Sequence, residues 1–561
     1  MNRIRTALLF LGFAAVTLVV QHGALQGPFI SDDFKDIVNN PYLGAVSRAN
    51  LLEIANPWGD ARLFTANYAP VHLFAHMLER LMFGNDMLGY HVVNALVHAW
   101  VSTLLVLLFR RSGIPPTAAL LGAAWFSLHP ASVEAVAWIS QLKTNAAMAF
   151  TLGAVLARRR SESLAAVLFA LGLLTKTSAV SALPLACALS FVAGFTRRDA
   201  RWLAVWSLIF VLYAVPQLGT YNEVADYQVA AFSDPWVHLR SILAYWMRYL
   251  AMAATASGVS AFQEPGPALS WADPWFLGGF VATGLLGWRS VVALRERRAE
   301  GAFWIFAAAG FGPVSQIFPF LYPVGDRYLY FILPGLIGGA ITWGLALRAK
   351  LEARPSQSAA VRRFAAASMR ALPIVSGCVI LSFAVQSSGR AALWVDEKRL
   401  VEEGIRNYPE GEGALFQRAC QAGIANDLDR SIDLLRRAAA RGVNRFDGLL
   451  DDPCFVRLRD EPRFVAFVVE LTQRWLEEAE RRDVHTQAMW LARARAHATL
   501  KHYRKARAAY LEALDIGGPQ TALARSEIDD VIERQAERRA QRKAGKPVRI
   551  HQRDPAATGP P

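Results

Sequence analysis

The first 390 residues contain a series of long apolar runs, separated by short polar segments that are rich in arginine. A helix of about 20 apolar residues crosses the hydrocarbon core of a bilayer. Runs of adequate or nearly adequate length are predicted at 6–25, 88–109, 117–131, 143–157, 164–175, 178–196, 201–217, 274–291, 302–320, 328–347 and 371–389. The sequence therefore predicts an all-α, polytopic membrane bundle of about 11 transmembrane helices.

The composition indicates a second, polar domain. Hydrophobic residues make up 53% of the chain and charged residues 19%, which is too apolar for a soluble protein and too polar for one that lies in the membrane throughout. Beyond residue 390 the chain is rich in Arg, Glu and Ala. We expect a polytopic membrane domain at 1–390, an α-helical domain at 391–530 and a basic disordered tail at 531–561.

The arginine clusters predict the topology. The formal net charge is +14, but its basic residues alternate with apolar runs and do not cover one soluble face, so no nucleic-acid partner is expected. By the positive-inside rule, clusters such as Arg110–Arg111, Arg158–Arg160 and Arg295–Arg298 are cytoplasmic. The loops at 26–87, 129–143, 175–178, 218–273 and 319–327, together with the C-terminal domain, are then extracytoplasmic. We expect a multi-pass protein of the inner or plasma membrane, in contact with lipids.

Two further apolar segments are interpreted as helices at the membrane surface. Counting 236–256 as a span would place Arg289–Arg298 outside, against the charge bias. We therefore predict an interfacial or re-entrant helix there, and an interfacial helix in the amphipathic segment at 70–83.

The four cysteines show no metal-ligand spacing, so no metal is expected. Cys420 and Cys454 could pair in an oxidising compartment. Buried free thiols are the favoured interpretation, since free cysteine is often buried in protein cores.

Two adjacent acids open the first long loop, in the segment SDDFKDIVNNPYL. Asp32 and Asp33 follow the first apolar run, where one carboxylate beside another can have its pKa raised and become a proton acceptor. The alternatives are a solvated loop start or an aspartate that caps a short helix.

A second polar group interrupts a membrane-compatible stretch, LHPASVEAVAWISQLKT. If this stretch were one helix, Glu134, Trp138 and Gln141 would share a face. With His129 and Lys143 nearby, the stripe indicates a polar cavity. The alternative is a surface pair of Glu134 with Lys143 that anchors a short span.

Basic residues lie at the outer ends of two other runs. Lys176 follows LLT, and Asp326 and Arg327 stand between tyrosines in FPFLYPVGDRYLY. Such cations are suited to a phosphate, which arginine can bind with two parallel hydrogen bonds. Snorkelling and aromatic anchoring at the interface are the alternative. All of these polar groups fall on one predicted side of the membrane, so one site could contain them.

In order along the chain, these motifs resemble those of the transmembrane-and-TPR-repeat-containing proteins, which are relatives of the protein O-mannosyltransferases with the GT-C fold. The resemblance includes the DD…I..NP loop at 32–41, NALVH at 94–98, HPxxxEAVAWIS at 129–140, LTK at 174–176 and DRYLY at 326–330. The HPxxxEAVAWIS and DRYLY segments are the most specific.

The resemblance implies an inverting, metal-independent glycosyltransferase without a cofactor. Its donor would be a polyprenyl-phosphate sugar, with mannose as the candidate sugar, and its acceptor a protein or glycan hydroxyl outside the cytoplasm. Asp33 or Asp32 would accept the hydroxyl proton, with Glu134 as support. Arg327 and Lys176 would bind the donor phosphate, and the substrate site would be supported by Asp326, His129 and Lys143.

Three positions depart from the family pattern. Ala69 stands where the family often has arginine, Ser132 where it often has histidine and Thr177 where it often has glutamate. The alternative function is therefore an inactive, membrane-anchored scaffold for protein–protein interaction. A transporter is less favoured, because the charged residues lie at span ends and not in mid-membrane.

The C-terminal domain resembles degenerate tetratricopeptide repeats. Residues 490–514 have the small and aromatic residues of such a helix pair, and the segment that begins at Ala414 looks like a weaker copy. A short solenoid of this kind could bind a peptide or protein partner, or act as a structural cap.

Overall fold

A computed structural model describes residues 3–224, 234–318, 322–352, 359–441, 446, 448–450, 452–481, 487–517 and 520–543. Within these ranges the chain is helical, and the β pairing is limited to an isolated bridge between Gln263 and Val324. The predicted all-α fold class is therefore confirmed.

The chain divides into two compact units. The first comprises Met1–Leu218 and Phe232–Tyr408, and the second comprises Gly219–Ala231 and Pro409–Pro561. The domain functions expected on either side of residue 390 stay predictions.

The α-helices as far as residue 408 are α1 (Arg3–Val20), α2 (Arg48–Ala55), α3 (Ala61–Phe64), α4 (Pro70–Phe83), α5 (Met87–Arg111), α6 (Pro116–Leu128), α7 (Ser132–Ala137), α8 (Leu142–Ala157), α9 (Glu162–Leu173), α10 (Ala182–Ala193), α11 (Arg197–Val224), α12 (Pro235–Thr255), α13 (Pro274–Arg295), α14 (Ala299–Phe311), α15 (Asp326–Glu352), α16 (Ala359–Ala391) and α17 (Glu397–Asn407). Local sequence explains several starts. At α12 and α13 an Asp-Pro pair begins the helix, because the aspartate side chain accepts backbone N–H bonds and proline suits the first helical position.

Six helices are long and apolar enough to cross a membrane: Arg3–Val20, Met87–Arg111, Arg197–Tyr221, Pro274–Arg295, Asp326–Leu351 and Ala371–Val395. Three shorter apolar helices lie at Pro116–Leu128, Glu162–Leu173 and Thr177–Ala193. The chain is thus a multi-pass membrane protein. The count of 11 spans stays a prediction, since the run at 143–157 forms a helix of 16 residues and the run at 302–320 is α-helical only as far as Phe311.

Glycines set the position of α15 against α14. A Cβ on Gly335 would overlap the backbone of Ala307, and a Cβ on Gly310 would overlap the carbonyl of Phe331. The two helices therefore pack backbone to backbone, as small residues allow inside membranes. This contact fixes the start of α15, where Asp326 and Arg327 lie.

The amphipathic helix α4 carries its polar residues inward. His72, His76 and Glu79 are buried, whereas Leu81 is 69% exposed and Met82 is 64% exposed. An apolar outer face suits a surface in contact with lipid. The segment predicted at 236–256 forms α12 and is not among the six long apolar helices. The interfacial placement of both helices stays a prediction.

The second unit contains a series of α-helices in its described part. They are α18 (Glu412–Ile424), α19 (Leu428–Ala439), α20 (Pro462–Arg481), α21 (Gln487–Thr499), α22 (Tyr503–Ile516) and α23 (Thr521–Lys543). Leu491, Ala506 and Tyr510 lie in the core that α21, α22 and α23 share. The assignment of these helices to tetratricopeptide repeats stays a prediction.

Two expectations about this unit were wrong. Cys420 and Cys454 form a disulfide, with their Cα atoms 4.9 Å apart, and are not free thiols. The sequence did not predict this pair because the two cysteines are 34 residues apart. Folding brings α18, which carries Cys420, next to the 3-10 helix at Pro453–Phe455, which carries Cys454. The tail expected to be disordered from 531 is helical as far as Lys543, since its Ala, Glu, Gln and Arg residues favour helix. Residues 544–561 lie outside the described residues.

Candidate active site

The carboxylate of Asp33 is completely buried, and both of its oxygens accept hydrogen bonds. Its Oδ2 accepts a hydrogen bond from the backbone N–H of Ile30 at 3.0 Å, and its Oδ1 accepts one from the backbone N–H of Ser140 at 2.8 Å. Burial raises the pKa of Asp33 to about 7, although both hydrogen bonds oppose that shift. Asp33 thus ties the first loop to the HPxxxEAVAWIS segment.

Asp32 has the opposite character. It is half-buried, and within the described residues it makes no hydrogen bond and no ion pair closer than 4.0 Å. Its charge nevertheless acts on Lys143, Tyr322 and Tyr328. Asp32 therefore offers a carboxylate that lies within electrostatic reach of these groups and that no described side chain binds.

Glu134 binds Arg327 twice. One carboxylate oxygen accepts a bond from the Arg327 guanidinium, and the other accepts one from the Arg327 backbone N–H at 2.7 Å. This second bond satisfies a backbone donor in the first turn of α15, where the helix dipole also favours an anion. Both residues are buried, so the pair is shielded from water.

Aromatic rings surround the Arg327 guanidinium. Its central carbon lies 4.6 Å from the ring centroid of Tyr328, 5.3 Å from that of Trp138 and 5.4 Å from that of Tyr322. These distances are in the range of cation–π contacts. The rings fix the direction in which the guanidinium points.

The expectation of one continuous helix through this segment was wrong. Helix α7 ends at Ala137, Trp138 is extended, and a 3-10 turn follows at Ile139–Gln141. The alternative of a surface pair between Glu134 and Lys143 is also wrong, because Glu134 is buried against Arg327.

Lys143 binds an acid that the sequence analysis missed. Its ammonium lies 3.3 Å from the carboxylate of Asp36, which is buried. Nε2 of His72 lies 3.9 Å from the same carboxylate. The charge of Lys143 and the nearby imidazole of His72 lower the pKa of Asp36 despite its burial.

Lys176 lies half-buried between α9 and the 3-10 helix at Thr177–Ser181. Its ammonium donates to the hydroxyl of Thr144 at 2.7 Å. Burial, together with the charges of Lys143 and Arg327, lowers the pKa of Lys176 well below its usual value. Three cations therefore lie within electrostatic reach of one another, and an anion placed among them would favour the charged form of Lys176.

Asp326 and His129 have different surroundings. Asp326 is buried and accepts bonds from the backbone N–H of Ser260 at 3.1 Å and from Arg390 at 2.9 Å. The ring of His129 packs against Phe383, with centroids 4.9 Å apart. The described polar contacts of His129 include none of the site's carboxylates. The structure thus brings Asp326 to the site and leaves His129 in a packing role.

Sequence reasoning missed Asp36, Arg390 and the segment around Ser260. Asp36 is the third acid in the opening of the first loop, three residues after Asp33. Arg390 stands at the outer end of the last apolar run, as Lys176 does at another. Those sequence positions were the signals by which Asp36 and Arg390 could have been found. The segment around Ser260 carries no charge pattern that would have revealed it.

No group of three or more His, Cys, Asp or Glu residues in the described part of the chain is arranged to hold a metal ion. The expectation of a reaction without metal or cofactor stays a prediction.

No family model matches the chain. Protein O-mannosyl-transferase Tmtc1 of Drosophila melanogaster is 34% identical over 201 residues, which cover 34% of this chain and 23% of the relative. Protein O-mannosyl-transferase F38B6.6 of Caenorhabditis elegans is 28% identical over 199 residues, covering 32% and 27%. Human protein O-mannosyl-transferase TMTC4 is 30% identical over 142 residues, covering 22% and 19%. The chain thus spans about a fifth to a quarter of the length of these relatives.

Among solved structures, the crystal structure of ArnT from Cupriavidus metallidurans bound to undecaprenyl phosphate aligns with 74% of this chain and 81% of its own. The TM-score is 0.34 and the identity 15%, values too low to support a functional assignment. The sequence matches confirm the resemblance predicted from the motifs: the chain is a multi-pass membrane protein related in sequence, over about a third of its length, to the protein O-mannosyl-transferases.

Proposed function

We propose that this protein is a membrane glycosyltransferase that moves a sugar from a polyprenyl-phosphate donor to a hydroxyl of a protein or glycan outside the cytoplasm. The observation that carries the proposal is the carboxylate of Asp32, which lies within electrostatic reach of Lys143, while Lys143 in turn lies within electrostatic reach of Lys176 and Arg327. An acid that can accept a proton and cations that can receive a phosphate are the two parts such a transfer needs.

In the proposed reaction Asp32 takes the proton of the acceptor hydroxyl. The hydroxyl oxygen forms a bond to the anomeric carbon of the sugar, on the face opposite the phosphate. The bond from that carbon to the phosphate oxygen breaks, and the electron pair leaves with the polyprenyl phosphate. One displacement inverts the anomeric centre. Asp33 holds the loop in place, since its two oxygens are already used by backbone N–H groups.

Arg327 and Lys176 receive the leaving phosphate. Arg327 is aimed by Glu134 and by the surrounding rings, so its charge needs little reorganisation as the phosphate gains negative charge. The ammonium of Lys176, which donates to a hydroxyl and to no carboxylate among the described residues, becomes more basic once the phosphate is bound. The name of the relatives makes mannose and a protein hydroxyl the first donor sugar and acceptor to test.

The site is proposed to face the extracytoplasmic side of an inner or plasma membrane. The positive-inside rule supports this orientation, because Arg110, Arg111 and Arg158 lie at helix ends in loops assigned to the cytoplasm. The disulfide between Cys420 and Cys454 supports an oxidising location for the second unit. A peptide or protein partner for its helices, and contact with membrane lipids, complete the proposal.

The test is transfer of labelled sugar by purified protein from a panel of polyprenyl-phosphate donors to peptide and glycan acceptors. The wild type is compared with the double variant Asp32→Asn, Asp33→Asn. We expect transfer by the wild type and loss of about 10²-fold or more in the variant. Equal transfer by both proteins would overturn the proposed site.

A second candidate function is an inactive scaffold. It is motivated by the departures from the family pattern at Ala69, Ser132 and Thr177, although two of these side chains make hydrogen bonds in the structure. Ser132 donates to the carbonyl of Phe126 at 2.9 Å, and the hydroxyls of Thr177 and Tyr213 lie 2.8 Å apart. A scaffold predicts no transfer by folded wild type from any donor, and equal cellular phenotypes for wild type and the double variant.

A further inference from the structure

Arg390, in the last turn of α16, is a buried arginine between two carboxylates. Its Nη2 donates to Asp326 at 2.9 Å, and its Nη1 donates to Glu403 of α17. Nη1 also lies 3.2 Å from the carbonyl oxygen of Val259, to which it donates. A planar guanidinium has enough N–H donors to bond all three of these groups at once. A lysine ammonium in its place would make fewer of these hydrogen bonds.

The two carboxylates also hold the segment that follows α12. Asp326 accepts from the backbone N–H of Ser260 at 3.1 Å, and Glu403 accepts from the Ser260 hydroxyl at 3.3 Å. Glu403 further accepts from the backbone N–H of Ala261 at 3.1 Å. The start of α15, the end of α16, α17 and residues 259–261 thus meet at one guanidinium.

Three carboxylates are paired with only two arginines in this group. Asp326 and Glu403 share one arginine, while the neighbouring Glu134 has Arg327. The charge of Glu134 acts on both Asp326 and Arg390. If Arg390 lost its charge, Asp326 would be a buried carboxylate without a cation, next in sequence to Arg327. Such a carboxylate attracts the nearest cation strongly, because few water molecules screen the interaction.

We propose that Arg390 is a positioning residue that holds the Asp326 carboxylate away from Arg327, so that Arg327 stays available to the phosphate of the donor. The inference rests on the proposed function, since it assumes a polyprenyl-phosphate ligand. It assigns to Arg390 an effect on donor binding and none on the acceptor.

The test uses the full chain and undecaprenyl phosphate as the probe, with binding measured directly and the KM values of donor and acceptor measured by transfer. We expect Arg390→Met to weaken binding of undecaprenyl phosphate and to raise the donor KM by about tenfold or more, with the acceptor KM unchanged. Adding Asp326→Asn should restore most of the affinity, because it removes the competing carboxylate.

Two further variants guard against a general loss of folding. Arg390→Lys keeps the charge and should bind the probe with intermediate affinity. Arg240→Met removes another buried arginine, which donates to the backbone carbonyls of Ala268 and Leu269. This control should leave probe binding unchanged.

The outcomes separate the inference from the proposed function. If the wild type binds the probe and Arg390→Met binds it equally well, the inference is overturned and the function stands. Failure of Asp326→Asn to restore binding also overturns it. If the folded wild type neither binds the probe nor transfers sugar, the proposed function falls and the inference falls with it.

Discussion

The two ends of the helical bundle in the first unit use buried charge differently. At the end where α15 finishes, Glu300 is buried and accepts bonds from Arg289 at 2.6 Å and 3.0 Å, while Arg298 lies 3.1 Å away. Arg289 and Glu300 are only 11 residues apart in sequence. This group of charges closes the connection between two consecutive helices.

At the end where α15 begins, buried ion pairs join segments that are far apart in sequence. The separations are 193 residues for Glu134 with Arg327, 107 for Asp36 with Lys143 and 64 for Asp326 with Arg390. A local pair can be explained by the turn that it stabilises. Long-range ion pairs at one place form only where several helices converge. The free-energy cost of burying these charges is expected where a protein binds or transforms a charged ligand.

The largest expected effect separates the two ends directly. Glu134→Gln leaves Arg327 buried without its carboxylate, so we expect a loss of stability of about 3–5 kcal/mol and a fall in transfer of roughly 10³-fold. Glu300→Gln should destabilise the protein by a similar amount, because Glu300 is equally buried. Transfer per folded molecule should not change in that control. Unfolding temperature and transfer rate, both in detergent, would check this, and equal loss of transfer in both variants would contradict the distinction.

A second effect concerns pH. The pKa of Asp33 is about 7 in the folded protein, above its value of 3.8 in the unfolded chain. The folded state therefore binds more protons between these values, and stability falls as pH rises from about 4 to about 7, by at most about 4 kcal/mol. Above pH 7 this dependence ends.

The variant Asp33→Asn should lack this dependence. The NH2 of the asparagine cannot accept a hydrogen bond from one of the two backbone N–H donors. We therefore expect the variant to be less stable than the wild type at pH 5. The difference in unfolding temperature should narrow by pH 8. A difference that stays constant from pH 5 to pH 8 would show that Asp33 does not titrate in this range.

The smallest effect compares two lysines. Lys176→Met should raise the donor KM by about 10- to 100-fold, the range expected when a charge-assisted hydrogen bond to the phosphate is lost. Its stability should be unchanged or higher, since a half-buried cation has been removed. Lys350, at the other end of α15, lies 3.4 Å from Glu296 with both side chains exposed. Lys350→Met should change stability by less than about 0.5 kcal/mol and leave the donor KM unchanged.

The parts of the fold that follow from chain-local chemistry could be predicted. Apolar runs of spanning length located helices such as α5 and α13, and the Asp-Pro pairs mark where α12 and α13 begin. The acids and cations were recognised because charged groups are costly near a membrane.

The partners of those groups could not be predicted. The sequence suggested Glu134 with Lys143, whereas the structure pairs Glu134 with Arg327. That choice depends on the close packing of α14 against α15 and on the break after α7, and neither follows from periodicity. Asp32 and Asp33 were equivalent in sequence and differ only because Ile30 and Ser140 donate to one of them.

The measurement that tests the account most directly is sugar transfer by the two single variants Asp32→Asn and Asp33→Asn, with unfolding temperature measured in parallel. We predict that Asp32→Asn reduces transfer by about 10²- to 10⁴-fold with little change in stability. Asp33→Asn should lower stability while its folded fraction still transfers sugar. Full transfer by Asp32→Asn, with transfer abolished in folded Asp33→Asn, would contradict the account.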